Sequence, residues 1–210
     1  MAQSGSDAAE LDIGVIIPCP RTLWVGTAMS ATGAASSRKF KTRFATESDI
    51  PELEKLVHEA YRGGKAKVDW KNEHDVVAHP RATAQDIQVM LADPNAQIIV
   101  AESDDTQKQL IGSVLIERSS PERAMIGMLA VDPEWQNVGL GKHLVRAGEE
   151  HAATAFGSTI ACMCVYNSRT GLLDWYKRLG YEPTGEVEEL PEDFKPLVEN
   201  LTFVRIERPL

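Results

Sequence analysis

Apolar and polar residues alternate with two different periods along this chain, and each switch of period marks an element. Phe40 to Phe44 alternates as a strand does, and Thr46-Glu47-Ser48-Asp49 then carries a capping hydroxyl with acids in a first helical turn. Ile50, Leu53, Leu56, Val57 and Ala60 form the apolar stripe of the helix that follows, which Gly63-Gly64 ends. Residues 65–82 hold Trp70, His74, His79 and Pro80 without periodicity and read as a loop. Thr83-Ala84-Gln85-Asp86 is a capping box for a short helix ending near Asp93-Pro94. Ile98 to Glu102 and Leu110 to Glu117 read as an antiparallel hairpin turned at Asp104-Asp105. Met125 to Val131 is an apolar run, a buried strand that Asp132-Pro133 stops. Leu140, Leu144, Gly148, His151/Ala152 and Ala155 then predict a helix from about Gly139 to Phe156. Thr159 to Val165 reads as a strand, and Ser168 to Leu179 as a helix stopped by Gly180. Tyr181 opens a further strand, and Leu201 to Ile206 is the last. The order β-α-α-β-β-β-α-β-α-β-β describes one α/β domain over residues 38–210.

Composition changes once, near residue 37. Residues 1–36 are rich in small side chains and carry only Asp7, Glu10, Asp12 and Arg21 as charges, so 1–37 is expected to be a disordered extension. The apolar run Leu11 to Pro18 has no basic segment before it, which argues against a secretory signal, and three acids against one arginine argue against a mitochondrial one. The net charge of −9 excludes nonspecific nucleic-acid or anionic-membrane binding and suits a cationic or amine substrate. Cys19, Cys162 and Cys164 make no disulfide framework, and no run approaches the ~20 apolar residues of a membrane span. A cytoplasmic or nuclear protein, monomeric or homodimeric and not secreted, is the expectation.

Chemistry concentrates at the central strand-turn-helix. Backbone N–H groups at such a turn converge on one point, and the helix dipole adds positive charge, so the arrangement binds anions. A Cβ at Gly139 or Gly141 would hold a phosphate off the backbone, while Lys142 and Arg146 offer ionic contacts. The turn is not a Walker loop, because Gln136 stands five before Gly141 and His143 follows Lys142. Nor is it a Rossmann fingerprint, because position 144 is leucine. What remains, Gln136-x-x-Gly139-x-Gly141, resembles the Arg/Gln-x-x-Gly-x-Gly/Ala signature of the GCN5-related N-acetyltransferase (GNAT) superfamily. Leu129-Ala130-Val131-Asp132-Pro133-Glu134-Trp135 before it is also similar to that family. The resemblance covers about residues 38–210 and implies a mixed, mostly antiparallel sheet flanked by helices, with the central strand splayed from its neighbour. It implies acetyl-CoA as cosubstrate, held by Leu129, Ala130, Val131, Gln136, Asn137, Val138, Gly139, Leu140, Gly141 and Lys142.

A second constellation lies downstream. Leu172, Tyr176 and Leu179 share one face of their helix, which turns Tyr176 inward. Trp175-Tyr176-Lys177-Arg178-Leu179-Gly180-Tyr181 resembles the family's Tyr-x-Lys/Arg-x-Gly-Phe/Tyr element, whose tyrosine lies at the cofactor's sulfur as general acid. Asn167 matches the asparagine that bonds the pantetheine arm, although its interval to Tyr176 is two residues longer than the family's commonest. The implied reaction is direct acetyl transfer to a primary amine in a ternary complex, without a metal. A lysine-like amine of pKa ~10.4 costs roughly 4–5 kcal/mol to neutralise at pH 7, so a base or water chain is needed. Met125 to Val131 contains no carboxylate, which leaves Glu117, Glu73 and His74 as base candidates. Trp70-x-x-Glu73 and Arg81-x-Thr83 resemble the acceptor-side segment of a fungal-type subgroup, which adds Trp70 and Arg81 to the substrate side. The acidic run Glu182 to Glu199 reads as a solvated loop, or as a border of the acceptor groove. The missing strand carboxylate also permits a different class of protein, a CoA-binding regulatory module without catalysis.

Overall fold

The structure is a computed structural model and describes residues 39–62, 76–77, 81–190 and 195–210. The extension 1–37 and the candidates Trp70, Glu73 and His74 lie outside the described residues. Seven strands form one sheet: β1 Phe40–Phe44, β2 Ala96–Ser103, β3 Leu110–Arg118, β4 Arg123–Val131, β5 Ile160–Tyr166, β6 Glu182–Glu189 and β7 Thr202–Pro209. Their spatial order is β1-β2-β3-β4-β5-β7-β6, and every neighbouring pair is antiparallel except β4 with β5.

Helices α1 Ile50–Arg62 and α2 Ala84–Ala92 cover one face of the sheet. A capping box at Thr46 and Asp49 starts the 3₁₀ turn that feeds α1, and Thr83 with Asp86 makes the same reciprocal pair for α2. Leu53, Leu56, Val57 and Ala60 of α1 pack with Ile87 and Met90 of α2 on Ile98, Val100, Leu115, Met128 and Ala130. Helices α3 Leu140–Thr154 and α4 Thr170–Arg178 belong to the opposite core, where Leu140, Leu144, Val145 and Tyr176 meet Ile111, Ile116, Ile126 and Met163.

His143 and His151 of α3 serve this packing. His143 stands edge-on to Phe40, and His151 lies between Phe44 and Phe156. Burial pushes both imidazoles below their usual pKa, so they pack as neutral rings. Buried Glu149 ties α3 to the far strands. It accepts from the Tyr181 hydroxyl at 2.9 Å, from Arg146 at 2.8 Å, and from Arg208 Nη1 at 3.1 and 3.2 Å.

One expected boundary moves. The strand expected to open at Tyr181 is the edge strand β6, Glu182–Glu189, so the first half of the acidic run is strand and not solvated loop. Arg205 on β7 pairs with Glu186 and Glu188 across the two strands, which gives an exposed acidic segment the partner that holds it in the sheet. In the second half, Pro196 bridges to Val77, and the Leu197 N–H donates to the Val76 carbonyl at 2.7 Å. The connection between α1 and α2 therefore meets the β6–β7 connection.

Candidate active site

The sheet opens at its centre. Parallel pairing of β4 with β5 runs from Arg123↔Ile160 to Met125↔Cys162 and stops there, so the later backbone groups of β4 have no strand beside them on that side. On its other side β4 carries a bulge. Ser113 pairs with Ala130 and Leu115 with Gly127, so Met128 and Leu129 together oppose Val114. Met128 takes φ 42°, outside the extended region, which bends the strand away from β5. A wedge-shaped cleft results, as the splayed sheet in the sequence reading requires.

A cavity of ≈ 180 Å³ occupies this opening. Leu129 and Val131 line it from β4, and Gln136, Asn137, Gly139, Gly141 and Lys142 from the turn that follows. The turn needs unusual backbone angles. Asp132 caps a 3₁₀ turn at Pro133–Trp135 by accepting from the Glu134 N–H, and Asn137 then takes φ 67°. Gly139, the N-cap of α3, sits at φ 88°, where a β-carbon clashes with the neighbouring backbone. Gly141 is needed for a different reason. A Cβ there would lie 3.7 Å from Val131 and 3.8 Å from Trp175, an ordinary contact with the protein, but it would project among residues that line the cavity. The turn is thus a backbone cradle that a side chain would fill, at a helix N-terminus and beside Lys142. Buried Gln136 donates to the Val131 carbonyl at 3.5 Å, and its Oε1 takes no hydrogen bond among the described residues. These features fit a phosphate-bearing cosubstrate.

Tyr176 faces the cradle from α4, 7% exposed, with its ring edge-on to Trp175 and Tyr181. The sequence pattern had turned it inward, and the structure brings it into the same cavity as the glycine turn. Other expected residues stand elsewhere. Ala130 faces the α1–α2 core, Leu140 is buried in the α3–α4 core, and Val138 packs against that core. Arg146 is engaged by Glu149 and is absent from the cavity wall. Asn167 is also outside the wall. Its side-chain N–H donates to the Asn200 carbonyl at 2.9 Å and its oxygen accepts from the Thr202 N–H at 3.4 Å, so the amide fastens β5 to the segment entering β7.

Ala60, Tyr61, Arg169, Leu172 and Trp175 complete the wall; the periodicity turned Ala60 and Leu172 inward and Trp175 stands in the tyrosine motif, whereas Tyr61 and Arg169 carried no signal. Tyr61 donates its hydroxyl to the Leu129 carbonyl at 3.0 Å, and the Arg81 guanidinium stands 5.3 Å over its ring. Arg81 in turn acts electrostatically on Glu117, a partly buried carboxyl that burial and nearby Asp93 push up to about 7. Glu117 lies on β3 opposite Met125, level with the last β4–β5 pair and outside the cavity wall. Among the described residues no group of three His, Cys, Asp or Glu could hold a metal, and no helix is long and apolar enough to cross a membrane.

Comparison with known proteins agrees with this geometry. No curated protein sequence matches the chain. Solved structures do. Spermidine N-acetyltransferase from Vibrio cholerae in complex with CoA and spermine is 17% identical, with a TM-score of 0.58 over 81% of this chain and 95% of that one. Ard1 from Thermoplasma volcanium gives 14% identity and a TM-score of 0.61 over 81% and 97%. The ribosomal-protein-S18-alanine N-acetyltransferase from Escherichia coli gives 14% and 0.57 over 81% and 93%. At these identities the likeness is one of fold. Residues 64–181 match the model of the acetyltransferase (GNAT) family, which is more than half of the chain and contains both the glycine cradle and Tyr176, so the chain belongs to that family of acetyl-CoA-dependent N-acetyltransferases.

Proposed function

We propose that the protein transfers an acetyl group directly from acetyl-CoA to a primary amine within a ternary complex. The observation that carries this reading is the meeting of cradle and tyrosine in one cavity at the open end of the sheet. Bound acetyl-CoA supplies the activated acetyl thioester. Backbone N–H groups at Gly139 and Gly141, with Lys142, receive its phosphates at the helix N-terminus. N–H groups of the unpaired part of β4 around Leu129 orient the acyl oxygen and stabilise the charge that develops on it. The Tyr176 hydroxyl supplies a proton to the departing sulfur.

A primary amine acceptor suits the acidic chain, and solved relatives that act on spermidine and on an alanine of ribosomal protein S18 support that class. Glu117, with a carboxyl titrating at about 7, is the base this reading selects. It stands outside the wall, so the proton reaches it through water. The chain needs no metal for this chemistry.

One observation favours a second reading. Strand β4 has no carboxylate, which suits a module that binds CoA for regulation without turnover. Steady-state thiol release from acetyl-CoA across a panel of polyamines, aminoglycosides and peptide amines, run beside CoA calorimetry, separates the two. Acetylated product confirms the transferase, and tight CoA binding with no turnover of any amine refutes it.

A further inference from the structure

We infer that Tyr61 of α1 is a positioning residue of the transfer step: its hydroxyl holds the β4 bulge so that the Leu129 N–H points at the acyl oxygen of the thioester. The inference rests on the acetyl-CoA reading above and deepens it.

Strand β4 sorts its backbone groups by side. The Asp132 N–H donates to the Ile111 carbonyl of β3 at 2.9 Å, and Ala130 pairs with Ser113. The N–H and C=O of one strand residue point to the same neighbour, and successive residues point to opposite ones. Ala130 and Asp132 therefore turn to β3, while Leu129 and Val131 turn to the side where pairing with β5 has stopped. On that side both carbonyls accept from side chains. Tyr61 donates to the Leu129 carbonyl at 3.0 Å, and Gln136 to the Val131 carbonyl at 3.5 Å. The open edge thus meets the cleft with its carbonyls covered, and the Leu129 N–H shares the side of the Tyr61 bond. A bare carbonyl there would repel the negative charge that develops on the acyl oxygen.

Leu129 needs such a hold because it follows a strained residue. Met128, the first residue of the bulge, takes φ 42°, which costs energy in any residue with a Cβ and persists only where neighbours enforce it. The peptide between Met128 and Leu129 carries the N–H in question. Its rotation would relax Met128 and turn that N–H away from the cleft. Two hydroxyls oppose the rotation. The buried Ser113 hydroxyl of β3 approaches the Met128 carbonyl at 3.5 Å, long for an O–H···O bond. Tyr61 grips the Leu129 carbonyl at 3.0 Å, so it carries more of the hold. Tyr61 is itself fixed in place. It stands in the last turn of α1, packs against the core beneath that helix, and has the Arg81 guanidinium 5.3 Å from its ring centroid. Its bond joins residues 68 apart in sequence, so a helix on one face of the sheet sets the direction of a donor on the sheet's open edge.

The test uses the full chain as wild type, Tyr61→Phe and Ser113→Ala. Infrared difference spectra with acetyl-CoA isotope-labelled at the acyl carbonyl read the hydrogen bond on the acyl oxygen, which moves the thioester band to lower frequency. Calorimetry with CoA, which lacks the acyl group, reads the rest of the cofactor site, and circular dichroism reads the fold. Removing an oxyanion donor outright costs ~10²–10³ in kcat. Tyr61→Phe misdirects the donor and does not remove it, so kcat is expected to fall about 10- to 100-fold, a part of that loss. The thioester band should move back toward its free position, with CoA affinity as in the wild type. Ser113→Ala, which loses the longer contact, should fall less. Unchanged kcat in Tyr61→Phe overturns the inference. So does a lowered kcat with an unmoved band, or a loss of CoA affinity as large as the loss in kcat. Failure of Tyr61→Phe to fold overturns it as well, because the bond would then serve the fold and not the donor. A larger loss in Ser113→Ala than in Tyr61→Phe moves the hold to β3 and overturns the assignment to Tyr61. A wild type that binds no CoA, or turns over no amine, strikes instead at the acetyl-CoA reading on which the inference rests.

Discussion

Replacing Gly141 with alanine should raise stability and leave cofactor affinity nearly as it is, whereas valine should lower that affinity. Gly141 lies in the first turn of α3, and the methyl of alanine would find its nearest protein atoms at 3.7 Å on Val131 and 3.8 Å on Trp175. That is ordinary van der Waals distance, so the fold has no steric reason to object. A glycine in a helix costs ~0.5–1 kcal/mol relative to alanine, so Gly141→Ala should stabilise the apoprotein by about that amount. For a chain of this size the gain corresponds to a Tm higher by ~1–4 °C. The signature takes glycine or alanine here, so one methyl leaves room for the phosphate, while the two further methyls of valine occupy the space through which it approaches the N–H groups of the turn. Losing one hydrogen bond to a charged group removes ~1.5–3 kcal/mol, or about 10- to 150-fold in Kd. Thermal denaturation of Gly141→Ala without ligand and titration calorimetry of both variants with CoA read the two effects. An unchanged Kd in a folded Gly141→Val would refute the cradle at Gly141. A Tm of Gly141→Ala that falls by several degrees would refute the packing inferred around it.

Tyr176→Phe should lower kcat by ~10²–10⁴ with little change in acetyl-CoA affinity, because the hydroxyl acts in the transition state; unchanged kcat with an amine acceptor would leave Tyr176 as a packing residue. Gly139→Ala should cost ~1–2 kcal/mol in urea denaturation, because its φ of 88° is strained for any residue with a Cβ. Glu117 must be ionised to act as a base, so kcat/KM should rise with pH through about 7 and lose that step in Glu117→Gln. Its folded pKa is raised from 4.5, so the folded state holds the extra proton between 4.5 and about 7, and this residue's contribution to stability falls as pH rises across that window. A chain starting at Ser37 should bind CoA as well as the full chain, as calorimetry on the two would show.

The elements were legible because their signals are local. Thr46 with Asp49 and Thr83 with Asp86 close the capping boxes that their spacing predicts. The glycine turn was legible for a related reason, since Gly139 and Gly141 answer to backbone geometry within a few residues. The strand opening at Tyr181 was expected but its extent was not, because Glu182 to Glu189 is exposed and polar, with no apolar alternation to mark where a strand ends. Its strand character comes from Arg205 on β7, sixteen or more residues away in sequence and visible only once the strands are paired.

Sequence by itself determined the family, the order of elements, the glycine turn and the inward turn of Tyr176, all of which depend on periods and motifs within about twenty residues. Only the tertiary structure decided which side chains converge on the cleft. Tyr61 comes from α1 and Arg169 from the start of α4, and nothing in their own neighbourhoods distinguishes them from packing or surface residues. Asn167 and Arg169 show the limit most clearly. They stand two residues apart at one corner, yet the asparagine turns to Asn200 and the arginine lines the cavity. That choice follows from how β5 ends against β7 and how α4 begins. It is a contact between distant segments, which no local pattern encodes.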